Sequence, residues 1–162
     1  MDSRPIAPTQ RVVGGGFSLV ELMIAVAIAA LLAAVALPTF LDSIRKGRRA
    51  EAFAALAQVQ QAQERWRANH PSYAASVSNA AGGDPPGLGL PSTTTPAGYY
   101  TLALSDVSAT AYTATATAVG SQANDLACAK LVVKIDGGSL TNSSFDGSGT
   151  EDTTNASRCW TR

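Results

Sequence analysis

The sequence predicts an α+β fold, in which one long N-terminal α-helix packs on a small antiparallel β-sheet. The first observation is a run of 16 consecutive apolar residues, Leu22 to Leu37, followed by helical spacing of apolar residues up to Asn69. The second is a change of composition after the helix, where Gly, Ser and Thr become dense and short alternating segments resemble strands. The 162-residue length suits one domain plus an appendage.

The composition argues against several classes of function. Residues 1–70 carry eight Lys/Arg and five Asp/Glu, and residues 71–162 carry four and seven, so neither half is strongly basic. The chain has one histidine, His70, and two cysteines, Cys128 and Cys159, which do not have the spacing of a zinc site. His70 precedes Pro71 and is interpreted as a polar helix end. We therefore expect no enzymatic activity, no metal and no cofactor.

The apolar run is long enough to cross a membrane. Residues 17–41 contain one charge in 25 residues, and a helix of about 20 residues spans the hydrocarbon core. A buried core helix is the alternative, but a domain this small could hardly cover a helix that is apolar on every side. The sequence thus predicts a transmembrane half of the helix over 17–41.

The segment before the apolar run differs from an ordinary secretory signal. Such a signal is cut after its apolar core, whereas here the glycine triplet that ends at Gly16 precedes the core. Cleavage between Gly16 and Phe17 would remove residues 1–16 as a leader. The apolar segment would then remain as the N-terminus of the mature chain.

A glutamate lies near the start of the apolar segment. A carboxylate at the centre of a span costs about 2.5–3.5 kcal/mol, and less near the ends, so Glu21 should have a partner. Cleavage after Gly16 creates an α-amine on Phe17, four residues upstream on the same helix face. The α-amino pKa is about 7.7–8 in reference peptides, so the group is mostly cationic. Glu21 can pair with its own amine or with that of a neighbouring copy, and the second pairing would favour assembly.

The stretch GFSLVELMIAVAIAALLAAVALP resembles the N-terminal signature of type IV pilins, closely over residues 14–40 and in outline beyond them. The resemblance implies that a prepilin peptidase cuts after Gly16 and N-methylates Phe17. It maps the assembly glutamate of the family onto Glu21 and its helix-loosening proline onto Pro38. The short head and the ending at Trp160 are similar to those of some minor pilins.

The resemblance also implies partners and a location. The protein would be inserted once in the bacterial inner membrane and would then polymerise with other pilin subunits into an extracellular pilus, through an assembly platform and a motor ATPase. The positive-inside rule alone would leave the basic side, Arg45 to Arg49, in the cytoplasm. We instead expect the basic side to lie outside the cytoplasm. The resemblance implies a cytoplasmic leader, and the two cysteines, if they pair, suit an oxidising compartment.

The helix is expected to extend from Phe17 to Asn69, with an amphipathic half over 42–70. Its apolar stripe contains Phe53, Leu56 and Trp66, and its charged residues, Arg48 and Arg49 among them, are expected mostly on the wetter face. Pro38 should kink the helix or loosen it locally, and Gly47 adds a second soft point. The basic cluster 45–49 would contact lipid headgroups, acidic residues of adjacent subunits or, least favoured, DNA.

The head comprises residues 71–162. After a Gly/Pro-rich loop over 78–98, three or four antiparallel strands are expected to pack on the apolar stripe of the helix. The predicted strands are Tyr99–Leu104, Tyr112–Ala118, Leu131–Ile135 and a short return near Ser139–Thr141.

The two cysteines enclose a polar loop of 30 residues. A Cys128–Cys159 disulfide would pin this loop to the sheet and stabilise the head by about 3–4 kcal/mol in the chain-entropy estimate. Two free thiols are the alternative. The resemblance favours the bridge, because many type IV pilins close a C-terminal region with one disulfide.

The predicted function is therefore that of a type IV pilus subunit, serving surface motility, adhesion or DNA uptake. One alternative is a pseudopilin of a type II secretion system, and another is a single-span protein that never polymerises. A third alternative is a DNA-binding minor pilin, which requires a basic stripe on a head whose charge sums to −3 (four positive, seven negative). The basic residues available for such a stripe are Lys130, Lys134, Arg158 and Arg162.

Overall fold

The computed structural model describes residues 17–153 and 156–160. The predicted leader, 1–16, lies outside the described residues. The elements follow one another as α1 (Leu19–Arg67), β1 (Tyr100–Ser105), β2 (Ala111–Ala118), two 3₁₀ turns (Gly120–Asn124 and Leu126–Cys128), β3 (Lys130–Asp136), β4 (Ser139–Phe145), β5 (Glu151–Asp152) and α2 (Ala156–Trp160). This is the α+β architecture that the sequence predicts.

The chain divides into two compact units, one up to Thr39 and one from Phe40 onward. The described part of the first unit is the N-terminal stretch of α1, whose most apolar 18-residue window is long and apolar enough to cross a membrane. Nothing in that window is buried inside the fold. Pro38 lies inside α1, and the chain is helical both before and after it.

The limits of α1 differ by two residues at each end from the expected 17–69. At the start, the amide of Leu22 donates to the carbonyl of Ser18, 3.1 Å away, so Ser18 lies just outside the helix. At the other end, the amide of Asn69 donates to Trp66 rather than to residue 65, which tightens the last turn. The α-helix therefore ends at Arg67, two residues before the expected Asn69.

The second unit is built around one five-stranded sheet with the order β1-β2-β3-β4-β5, in which every neighbouring pair is antiparallel. The three main predicted strands are confirmed within one residue at each end. The short return near Ser139 is longer than predicted and reaches Phe145. The two-residue strand β5 and the short helix α2 were not predicted, because neither carries an apolar pattern in the sequence.

The core lies between α1 and one face of the sheet. In β2 (AYTATATA) the buried and half-buried residues alternate strictly, so Tyr112 and the last three alanines face the helix, whereas Ala111 and the threonines face away. Leu56 and Val59 of α1 are 1% exposed and belong to the same buried cluster as Ala114 and Ala116. The predicted stripe is confirmed for Leu56, which is buried in this cluster.

A buried glutamine ties the loop after α1 to the helix. The side-chain amide of Gln63 is fully buried, donates to the carbonyl of Ala74 and accepts from the amide of Ala74, both at 2.9 Å. This pair of hydrogen bonds satisfies the polar group inside an apolar interface. Gln63 therefore helps to hold the start of the head loop against the helix.

Candidate assembly and interaction sites

The first candidate site is the exposed apolar part of α1. Its large apolar side chains, from Phe17 to Leu41, are between 48% and 82% exposed. A contiguous apolar surface of this length requires a cover of lipid or protein. Glu21 lies in the first turn of the helix, and no described residue pairs with its carboxylate. A glutamate there also complements the helix dipole, which is worth about 0.3–1 kcal/mol.

The second candidate site is a buried ion pair between α1 and the head. Arg49 is 6% exposed and Asp125 is 4% exposed. The guanidinium Nε and Nη2 donate to the two carboxylate oxygens at 2.7 and 2.8 Å, which is the two-point geometry that arginine favours. The expectation that Arg49 lies on the wetter face was wrong.

The physical reason is the helical position of Arg49. It lies three residues before Ala52 and seven before Leu56, and therefore on the same buried stripe. The spacing was visible in the sequence, but a buried arginine requires an anion to make it tolerable. That anion is 76 residues away in the chain, and the sequence does not identify it.

Two other arginines of the basic cluster also contact residues of their own chain. The Arg48 guanidinium lies 4.2 Å from the centre of the Tyr99 ring, and its Nη1 donates to Ser121 Oγ at 2.9 Å. Arg45 lies 3.5 Å from the Asp42 carboxylate. Lys46 is exposed. Within the described residues, the side chains of Arg48 and Arg49 therefore link α1 to its own head, whereas the Arg45–Asp42 pair lies within α1.

Gln122 extends this network into the sheet. Its side chain is fully buried, and its Nε2 lies within hydrogen-bond distance of the Arg45 carbonyl (3.2 Å), the Tyr100 hydroxyl (3.0 Å) and Asp125 Oδ2 (3.1 Å). Burial raises the pKa of Tyr100 to about 12, so its phenol stays neutral at ordinary pH. The network fixes the 3₁₀ turns next to the helix and to β1.

Cys128, one of the two cysteines of the predicted disulfide, lies in the second of these turns. Cys128 and Cys159 are bonded, with 5.8 Å between their Cα atoms, so the prediction of a bridge is confirmed. The bridge attaches α2 to the second 3₁₀ turn, just before β3. In α2, the Trp160 ring stacks on Phe53 at 5.0 Å, and its Nε1 donates to the Ser143 carbonyl at 3.1 Å.

The loop between β4 and β5 is closed by its own hydrogen bonds. Asp146 Oδ1 accepts from the Ser148 hydroxyl at 2.6 Å and from the amides of Ser148 and Thr150 at 2.9 Å. The hydrogen bond from the Ser148 hydroxyl makes the largest contribution to lowering the pKa of Asp146, and backbone hydrogen bonds lower it further. Among the described residues, no group of three His, Cys, Asp or Glu side chains could hold a metal ion.

The third candidate site is a groove of about 660 Å³ on the sheet face that points away from α1. It brings together Lys130 and Lys134, two of the four residues proposed for a DNA stripe. Of the other two, Arg158 lies on α2 and does not line the groove, and Arg162 lies outside the described residues. The two lysines were proposed from the sequence. That they line one groove depends on the strand register, which places them on one face of the sheet and which the sequence did not reveal.

His70 has the role of a helix terminus, as predicted. Its ring stacks on the Trp66 ring at 3.7 Å between centroids, and its Nδ1 lies 2.9 Å from the Trp66 carbonyl. Because a carbonyl only accepts, Nδ1 must carry the proton of that hydrogen bond. The histidine thus closes the last turn of α1.

Two family models match the chain. The family described as type IV minor pilin ComP, DNA uptake sequence receptor, matches residues 38–132, which is more than half of the chain. The prokaryotic N-terminal methylation motif matches residues 15–37, directly before the first match. No curated protein matches the chain.

Proposed function

The chain belongs to the type IV minor pilin family described as ComP, DNA uptake sequence receptor, and we propose that it is a pilus subunit that binds DNA during uptake. The family is one of structural proteins. In this proposal residues 1–16 are removed, Phe17 becomes the methylated N-terminus, and residues 17–41 anchor the subunit in the membrane before assembly. Residues 42–70 and 71–162 form the amphipathic half of the helix and the head.

The observation that carries the assembly part is the exposed apolar helix with Glu21 in its first turn. The apolar surface can be covered by lipid before assembly and by the helices of other subunits afterwards. Glu21 would pair with the α-amine of Phe17 on a neighbouring copy, which neutralises both charges in an apolar environment. Pro38 would loosen the helix so that subunits fit together.

The proposal also includes partners. A prepilin peptidase would act at Gly16, and an assembly platform and a motor ATPase would extend the filament from the inner membrane to the cell surface. The DNA part rests on the family description, which names a DNA uptake sequence receptor. The same description supports a type IV pilin over the type II secretion pseudopilin.

A Glu21→Gln variant in the source strain tests this function. We expect the variant chain to be cleaved normally, to be missing from sheared filaments and to reduce uptake of labelled DNA, because the neutral side chain no longer attracts the neighbouring amine. Both readouts are measured against the strain with the unchanged gene, by immunoblotting of filaments and by counting internalised DNA.

Asp42→Asn is the matched control, since it removes a carboxylate whose side chain is 64% exposed and which pairs only weakly with Arg45. The control should retain filament incorporation and DNA uptake. Normal incorporation of Glu21→Gln would rule out the charge-pairing part of the proposal.

A further inference from the structure

The described part of the head has two exposed leucines, which lie at opposite ends of the sheet. Leu126 is 67% exposed and lies in the second 3₁₀ turn, just before β3 begins. Leu140 is 50% exposed and lies on β4 opposite Ile135, beside the hairpin that ends β3. The seven residues of β3 separate the two ends by about 20 Å, at roughly 3.3 Å per residue. A single exposed leucine is common on a protein surface, so its meaning depends on what the fold places beside it.

Contacts between α1 and the head show which end of the sheet lies beside which part of the helix. Arg49, near the start of the amphipathic half, pairs with Asp125 in the 3₁₀ turns. Arg67, at the end of α1, donates to the Ala109 carbonyl at 3.0 Å. That carbonyl belongs to the loop between β1 and β2, which lies at the same end of the sheet as the hairpin between β3 and β4. The turns that carry Leu126 therefore lie beside the part of the amphipathic half that is nearest the apolar run.

These turns also lie close to the point where the apolar run ends. Leu41, the last residue of the proposed span, belongs to the same compact unit as the head. It is four residues before Arg45, which is about 6 Å at 1.5 Å per residue of helix. The Gln122 side chain in the first 3₁₀ turn donates to the Arg45 carbonyl at 3.2 Å. A bilayer has a headgroup layer of roughly 5–7 Å on each side of its hydrocarbon core. A bilayer that covers the helix up to Leu41 therefore has its headgroups at the level of these turns.

The surface of the turns is chemically compatible with phospholipid headgroups. Residues 120–127 contain one acidic residue, Asp125, and its carboxylate is buried against Arg49, where it does not repel phosphate. On α1, the exposed Lys46 provides an ammonium group that attracts phosphate oxygens. The exposed side chains of the first turn are short and uncharged: Ser121, Ala123 and Asn124.

Two further carboxylates at this end of the head have donors of their own. Asp42 lies 3.5 Å from the Arg45 guanidinium. Asp146 accepts hydrogen bonds within its own loop, which adjoins the turns because the Gly147 amide donates to the Leu126 carbonyl at 2.7 Å. The negative charges near the turns are therefore compensated locally, and the exposed apolar group beside them is Leu126.

We propose that residues 120–127, together with Lys46, form a membrane-contact surface that lies in the phospholipid headgroup layer while the subunit is anchored in the membrane. The inference rests on the proposed function and deepens it, because it gives the head a membrane contact of its own beside the apolar helix. Leu126 enters the boundary between headgroups and acyl chains, as apolar side chains of interfacial segments do. The Arg49–Asp125 pair holds the turns at that level, so the anchored head keeps one orientation above the bilayer.

The test measures how strongly a single tryptophan on this surface is quenched by brominated lipid. The full-length chain with Trp66→Phe and Trp160→Phe is reconstituted in phosphatidylcholine–phosphatidylglycerol vesicles, with or without bromine on the acyl chains close to the headgroups. In this background Leu126→Trp should lose emission when the lipid is brominated. Ala123→Trp, in the neighbouring turn, is a second reporter and should lose emission as well.

Leu140→Trp is the matched control, because it replaces another exposed leucine at the opposite end of the sheet. Its emission should be the same in both kinds of vesicle. Equal quenching at positions 126 and 140 would contradict the proposal, because the head would then lie along the bilayer. If the chains float with the vesicles and neither turn reporter is quenched, this inference fails while membrane anchoring stands. If the chains do not float with the vesicles, this inference and the anchoring part of the proposed function both fail.

Discussion

An Asp125→Ala variant should lower the free energy of unfolding by about 3–5 kcal/mol, because it leaves the Arg49 guanidinium buried without its anion. Arg49 is 6% exposed, so water cannot replace the carboxylate without opening the contact between α1 and the head. The variant also removes one acceptor of Gln122 Nε2. Chemical denaturation of the full-length chain in detergent, followed by tryptophan fluorescence, measures the loss.

Lys46→Ala provides the comparison on the same helix, since an exposed substitution of this kind usually changes stability by less than about 0.5 kcal/mol. Arg49→Lys should fall between the two variants, because one ammonium cannot reproduce the two-point contact with the carboxylate. A loss below about 1 kcal/mol for Asp125→Ala would mean that the pair does not hold α1 to the head.

The second large effect is expected from the disulfide. A chain with both Cys128→Ser and Cys159→Ser should lose about 3–4 kcal/mol, because its unfolded state is no longer restricted by the bridge. The Trp160 ring, which stacks on Phe53, should also detach more easily. Denaturation curves report the loss of stability, and the emission of Trp160, measured in chains that carry Trp66→Phe, reports the detachment of its ring.

The control for the double variant is the unchanged chain with its disulfide reduced. The two chains differ only by an oxygen atom in place of sulfur in the side chains at 128 and 159. The two preparations should unfold at similar denaturant concentrations. A double variant as stable as the oxidised chain would show that α2 and the 3₁₀ turns hold together without the bridge.

Much of the fold could be predicted because it is encoded in local patterns. The apolar run and the stripe through Leu56 identify α1, and the alternation of β2 identifies one of the inner strands of the sheet. The strand β5 could not be predicted, because its two residues pair with the end of β4 and carry no strand pattern of their own. The helix α2 is held by the disulfide and by Trp160, which are contacts distant in sequence.

The candidate sites also divide into those that a local sequence pattern identifies and those that depend on contacts distant in sequence. Phe17 and Glu21 were identified from a contiguous motif, and their roles in cleavage and assembly remain predictions. The burial of Arg49 was missed, because its partner Asp125 is far away in the chain and is brought close only by the fold. The lysines of the groove were named from their charge, but their position on one face required the register of β3.

The central claim is that this chain is processed at its N-terminus and enters a filament. Intact-mass and N-terminal analysis of protein from sheared surface filaments tests it most directly. We expect a chain that begins at N-methylated Phe17 and carries two hydrogens fewer than the reduced form, as the Cys128–Cys159 bond requires. A chain that still begins at Met1, or one that stays in the membrane and is missing from filaments, would contradict the claim and favour a single-span protein that never polymerises.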